Sequence, residues 1–267
     1  MKDRMVPIGL TVAMIVTIIL GLLYDTSHTP SENPFNDIQF DFGNPVLTPL
    51  GKGQVAAKKR LYFEAISHYD LAIKDAPAEA RPYYYRGIAK AQLNQHAAAI
   101  VDYDKTINLN SNYAYAYSNR GRSKHRLNQH AAAIADYDKA ISLDPDVGSF
   151  YSNRGMVKFS TGQHTAAIAD ANKGIQLNPD HDDKYRVRGW MKYELGEHFA
   201  AITDCDETLR LDPDNGWAYL VRGLAKRDLG HHSPGRKDLE RALDVADKVG
   251  DQNLRDRIKK ELRRTRQ

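Results

Sequence analysis

One cysteine, Cys205, stands in 267 residues. A single thiol excludes an internal disulfide framework and a zinc centre built from cysteine pairs. There is no Asn-x-Ser/Thr acceptor site, no glycine-rich phosphate loop and no nucleophile motif in the chain. Neither sign of charge dominates: 38 Lys and Arg stand against 34 Asp and Glu, a net charge of +4. Both signs are spread along the chain, which argues against a nucleic-acid coat, and no nucleic-acid partner is expected. Enzymatic chemistry has no support, and no catalytic residue, metal or cofactor is expected.

Charge is missing altogether from Val6 to Tyr24, 19 residues long. As a helix this run spans about 28 Å, close to the thickness of a bilayer core. Lys2 and Arg4 precede it, and no Lys or Arg follows until Lys52. The positive-inside rule then predicts a single-pass anchor over residues 1–24, with a cytoplasmic N-terminus and the rest on the trans (periplasmic or extracellular) side of the cell membrane. The run ends Leu22-Leu23-Tyr24-Asp25, without the small residues a signal peptidase needs. If it is cleaved all the same, the product is periplasmic or secreted. The missing glycan acceptors and single cysteine favour a bacterial setting. Residues 25–45, broken by Pro30, Pro34 and Pro45, read as an extended linker. Its apolar patch Phe35–Phe42 is expected to rest on the neighbouring domain.

A repeat dominates the remainder. Gly53, Gly87, Gly121, Gly155, Gly189 and Gly223 are each 34 residues apart, as are Ala65, Ala99, Ala133, Ala167 and Ala201. Residues 93–110 and 127–144 agree at 14 of 18 places. Each unit reads as two helices, for example 115–127 and 130–143, joined at Asn128-Gln129 and ended by Asp144-Pro145. Glycine and alanine at fixed places let the paired helices approach closely.

A 34-residue helix–turn–helix with these places for Gly, Ala, an aromatic and Pro resembles the tetratricopeptide repeat. Tyr117-Ser-Asn-Arg-Gly121 and Ala133-Ile-Ala-Asp-Tyr-Asp-Lys-Ala-Ile141 carry the resemblance. It implies an all-α solenoid of six units (46–79, 80–113, 114–147, 148–181, 182–215 and 216–249) covering about three quarters of the chain. The first and last units are degenerate. Gly235 stands where the others have alanine. Residues 250–267 form a basic capping helix, with Leu254, Ile258 and Leu262 as its apolar stripe.

Two further series keep the step. Histidines recur at 96, 130, 164, 198 and 232, but equivalent places in neighbouring repeats lie about 10 Å or more apart, so packing is expected rather than metal binding. Arg86, Arg120, Arg154, Arg188 and Arg222 each lie 16 residues before Asp102, Asp136, Asp170, Asp204 and Asp238. That fixed offset predicts ion pairs between the helices of a unit.

The resemblance implies a protein-interaction scaffold or adaptor that binds a peptide or partner protein in a groove lined by first helices. The expected wall is Tyr84, Tyr85, Asn119, Arg122, Asn153, Met156, Phe159, Arg186, Trp190 and Tyr193, with Ile88 and His125 beside them. Aromatic, Met and Arg side chains suit an interface centre, and Asn offers a donor and an acceptor to a peptide backbone. Trp190, Tyr193 and Arg186 are expected to form an aromatic platform with a cation at its edge. The lysines of the clamp that grips acidic chaperone tails are missing. Self-assembly into a homo-oligomer of a membrane complex is the alternative.

Overall fold

The computed structural model describes residues 48–264. The expected anchor 1–24, the linker 25–45 and the last three residues of the capping segment lie outside the described residues. Thirteen helices, and no strand, are present among the described residues. In chain order they are α1 (Pro49–Lys58), α2 (Tyr62–Asp75), α3 (Ala80–Gln92), α4 (His96–Leu109), α5 (Ala114–Arg126), α6 (His130–Leu143), α7 (Gly148–Ser160), α8 (His164–Leu177), α9 (Asp182–Glu194), α10 (His198–Leu211), α11 (Gly216–Asp228), α12 (His232–Val249) and α13 (Gln252–Arg264). They fall into two compact units, 48–157 and 158–264, with the boundary inside α7.

Local chemistry explains the element ends. Thr48 caps α1: its hydroxyl accepts from the Gly51 amide at 3.1 Å, and Pro49 occupies the first turn, where its missing N–H costs nothing. The turn inside each hairpin needs one residue in the left-handed region. Arg60, Asn94, Asn128, Gly162, Gly196 and Gly230 supply it, with φ between 60° and 83°. Glycine and asparagine adopt that conformation readily, whereas Arg60 does so against its Cβ. At Asp144, before Pro145, the backbone is extended (φ −143°, ψ 90°), and α6 stops there.

In the unit 48–157, the core alternates small and aromatic side chains. Tyr69 and Tyr103 are fully buried, and each lies over a glycine of the paired first helix. A Cβ placed on Gly87 would come within 2.7 Å of the Tyr103 ring. Ala65, Ala99 and Ala133 are fully buried between the paired helices. Further along, Phe150 packs edge-on to Tyr115 at 5.2 Å, beside Ala114 and Ala140.

In the unit 158–264, the largest fully buried side chains are Trp190, Met191, Leu220, Leu239 and Ile258. The α11–α12 pair approaches closely, backbone to backbone. A Cβ on Gly235 would sit 2.7 Å from the Gly223 carbonyl oxygen and 3.0 Å from the Arg227 nitrogen. The chain turns through Gly250 (φ 74°) into α13, whose Leu254 and Ile258 are buried, while its lysines Lys259 and Lys260 face solvent.

Candidate functional site

The arginine ladder is present and is richer than the offset of 16 predicts. Arg120 holds Asp136 with two hydrogen bonds, Nε–H to Oδ2 at 2.9 Å and Nη2–H to Oδ1 at 2.6 Å. Arg86 does the same to Asp102, Arg188 to Asp204 and Arg222 to Asp238. Each arginine also reaches back. Nη1 of Arg86, Arg120, Arg154 and Arg222 donates at 2.6 Å to Asp70, Asp104, Asp138 and Asp206 on the second helix of the preceding repeat. Arg188 meets Asn172 there instead, at 2.7 Å. A lysine one turn on completes the set: Lys90, Lys124, Lys158, Lys192 and Lys226 lie 2.8–2.9 Å from Asp102, Asp136, Asp170, Asp204 and Asp238. Burial opposes the arginine charge, but the two aspartates more than reverse this and raise the pKa of Arg86, Arg120 and Arg222. A tyrosine three residues before each arginine lies under its guanidinium, at 5.3–5.8 Å. The extra aspartates, lysines and tyrosines all keep the 34-residue step, so the same count finds them. The ladder is saturated with internal partners and serves the fold.

The expected groove residues separate into two groups. Tyr84, Met156, Phe159, Arg186 and Trp190 are buried. Trp190 is 2% exposed and packs edge-on to Phe159 at 5.0 Å. The expected aromatic platform is therefore corrected: Trp190 fills the seam between repeats, and Arg186 is buried against Asp183 of its own helix. A first helix packs both on its own partner and on the next repeat, so an aromatic side chain on its inner side is drawn into the seam. Tyr85, Asn119, Arg122, Asn153 and Tyr193 stay partly exposed.

Three of these residues form a connected polar run in the unit 48–157. Arg122 donates to the Asn119 side-chain oxygen at 2.8 Å, and Asn119 donates from Nδ2 to the Tyr84 hydroxyl at 2.9 Å. Tyr84 stands among aromatic rings, 4.7 Å from Tyr113 and 5.3 Å from Tyr85. Burial, with the neighbouring tyrosines adding to it, pushes its pKa up, so the hydroxyl stays protonated and polar. The run offers a cation, amide groups and a ring edge on the first helices α3 and α5. In the unit 158–264, Tyr193 donates to Asp228 at 3.0 Å, and Arg257 of α13 lies 5.5 Å over the Trp217 ring. Burial lowers the Arg257 pKa.

His164 and His198, at the starts of second helices, pack against the ends of first helices. Phe159 meets His164 at 4.7 Å and Tyr193 meets His198 at 5.5 Å. In α5 the corresponding place holds His125, whose Nδ1 lies 3.0 Å from Nδ1 of His130. This pair escapes a search for a 34-residue step because His125 is off the histidine series. No group of three or more metal-ligating side chains occurs among the described residues. Burial, then His130 and Arg126, lower the His125 pKa to about 4. The folded protein thus binds its proton less readily than the unfolded chain, so stability is complete above about pH 6.5 and falls as pH drops towards 4. At pH 5 the loss should be on the order of 1–2 kcal/mol. Melting curves at pH 7.5 and 5 should converge in His125→Phe relative to the parent; an unchanged acid sensitivity would mean that another group carries it.

Comparison with known proteins now bears on this geometry. Family models described as tetratricopeptide repeat match residues 114–147 and 148–181, the third and fourth of the 34-residue units. No curated protein matches the sequence. Among solved structures, MamA is 25% identical, with a TM-score of 0.54 over 62% of this chain and 96% of its own. YrrB, described as a tetratricopeptide repeat protein with an unusual peptide-binding site, is 21% identical, with a TM-score of 0.52 over 72% of this chain and 97% of its own. A tetratricopeptide repeat protein from Parabacteroides merdae is 18% identical, with a TM-score of 0.66 over 84% of this chain and 86% of its own. The chain thus carries tetratricopeptide repeats, matched directly over residues 114–181, and shares its fold with proteins built from them.

Proposed function

We propose that the protein is a non-enzymatic scaffold that holds a peptide or a segment of a partner protein against its first helices, tethered to the membrane by residues 1–24 with the repeats on the trans side. Tetratricopeptide proteins mediate protein–protein interactions, and the neighbour YrrB has a peptide-binding site. The observation that carries the reading is the half-buried run Arg122–Asn119–Tyr84 beside Tyr85. Its chemistry suits an extended peptide with an acidic side chain: the guanidinium meets the carboxylate, and the amide meets the peptide backbone. The tether is supported by the uncharged run Val6–Tyr24 behind Lys2 and Arg4.

Crosslinking the full-length chain in membranes and purifying it tests the reading. One dominant heterologous partner is expected. Its capture should fall about 30-fold with Arg122→Ala, the effect of losing a binding hot spot of about 2 kcal/mol, while helical signal is kept. Self-crosslinks alone would favour a homo-oligomer. Undiminished capture by a folded Arg122→Ala would place the interface elsewhere.

A further inference from the structure

We propose that His125 and His130 form a two-histidine site for a late-transition-metal ion such as Ni2+ or Cu2+. The Nδ1 atoms of the two imidazoles lie 3.0 Å apart, with ring centroids at 5.0 Å and ring planes 52° apart. Without an ion, the two nitrogens share one proton, one donating and the other accepting. An ion bound by both nitrogens displaces that proton and sits off the N···N line, so each ring turns from its hydrogen-bonding direction, by roughly 45°, until both lone pairs meet at the ion. Donors 3.0 Å apart that each lie about 2.1 Å from an ion subtend roughly 90° at it. That is the angle between neighbouring ligands in square-planar or octahedral coordination, and imidazole suits Ni2+ and Cu2+. A tetrahedral ion would need about 3.4 Å between the nitrogens, so the pair as built disfavours Zn2+.

The two histidines face each other because the left-handed residue Asn128 folds α6 back onto α5. Both side chains are only partly buried, so water can complete the coordination shell. Arg126 also acts on His125 and opposes a second cation, which sets the expected affinity low. The site differs from two other hairpins, where the Phe159 ring meets His164 edge-on and the Tyr193 ring meets His198 at a tilt. Those ring contacts also supply the control. His125→Phe recreates in α5 the Phe159–His164 arrangement and keeps the hairpin packed.

The test uses the full chain, stripped with EDTA and titrated with NiCl2. The melting temperature should rise by roughly 2–4 °C when the free ion exceeds its dissociation constant about fivefold, and EDTA should reverse the rise. The rise should disappear in His125→Phe and in His130→Gln. Paramagnetic Ni2+ should broaden the imidazole proton signals of these two residues before those of the other histidines. No rise at about 1 mM Ni2+, or an equal rise in both variants, would overturn the site.

Discussion

Gly235→Leu should lower the melting temperature by about 6–12 °C, one of the two largest effects expected of a single substitution in the repeats. The reason is the kind of atom in the way. A Cβ at position 235 meets the Gly223 carbonyl oxygen at 2.7 Å and the Arg227 nitrogen at 3.0 Å. Both atoms are backbone, and neither can turn aside as a side chain can. The helices α11 and α12 must separate, which pulls the buried Leu239 away from Gly223 across that seam. Overpacking usually costs about 1–3 kcal/mol, and a backbone clash belongs at the upper end. Gly121→Leu is the internal comparison. A Cβ there meets the Ala133 carbonyl oxygen only at 3.1 Å, and its other near neighbours, the Asp136 and Tyr137 side chains at 3.2 and 3.3 Å, can yield by a few tenths of an ångström. Calorimetry on both variants checks the ranking. An equal shift for the two would show that the α11–α12 contact relaxes as easily as α5–α6.

Asp204→Asn should be the most costly of the aspartate substitutions in the ladder. Asp204 is 2% exposed and is held by Arg188 at 2.6 and 2.8 Å and by Lys192 at 2.8 Å. Asparagine keeps the shape but removes the charge that balances two half-buried cations. Breaking a sheltered pair from one side costs about 3–5 kcal/mol, because the partner stays desolvated without compensation. The expected loss is about 3 kcal/mol, since Arg188 and Lys192 keep some contact with water. The same change at Asp136 should cost visibly less, because Arg120 retains Asp104 at 2.6 Å. Arg188 has only the uncharged Asn172 to fall back on. Urea unfolding of the two variants decides the matter. If Asp136→Asn proved the worse of the two, the preceding aspartates would be contributing nothing.

The helices, their turns and the arginine–aspartate pairs were legible because each depends on spacing along one hairpin. Asn128 and Pro145 mark a turn and a stop by their own backbone chemistry. Asp104 lies on the same 34-residue step, but that Arg120 reaches back to it depends on how closely one repeat stacks on another. Trp190 shows the same limit in the candidate site. Its spacing from Tyr193 places both on one side of α9, but that side is shared between the free surface and the seam. Only packing assigns the larger ring to the seam and leaves Tyr193 partly open, hydrogen-bonded to Asp228. His125 and His130 escaped for a different reason. They are five apart, a spacing with no meaning within one continuous helix, and they meet only because a left-handed residue intervenes.

The packing of α13 also constrains how the repeat array can lengthen. The second helix α12 runs for 18 residues where the other complete second helices have 14, and Gly250 then turns the chain so that Leu254 and Ile258 of α13 cover the last hairpin. A Cβ on Gly216 would come within 2.8 Å of Leu254, so α13 occupies the face that another hairpin would use. Copying a unit onto this end would leave its apolar face without a seat. Gain of repeats is thus confined to positions upstream of α12, where a duplicated 34-residue block brings its own arginine, aspartates and lysine in register with its neighbours. The near-identical stretches 93–110 and 127–144 lie there, in the interior of the array.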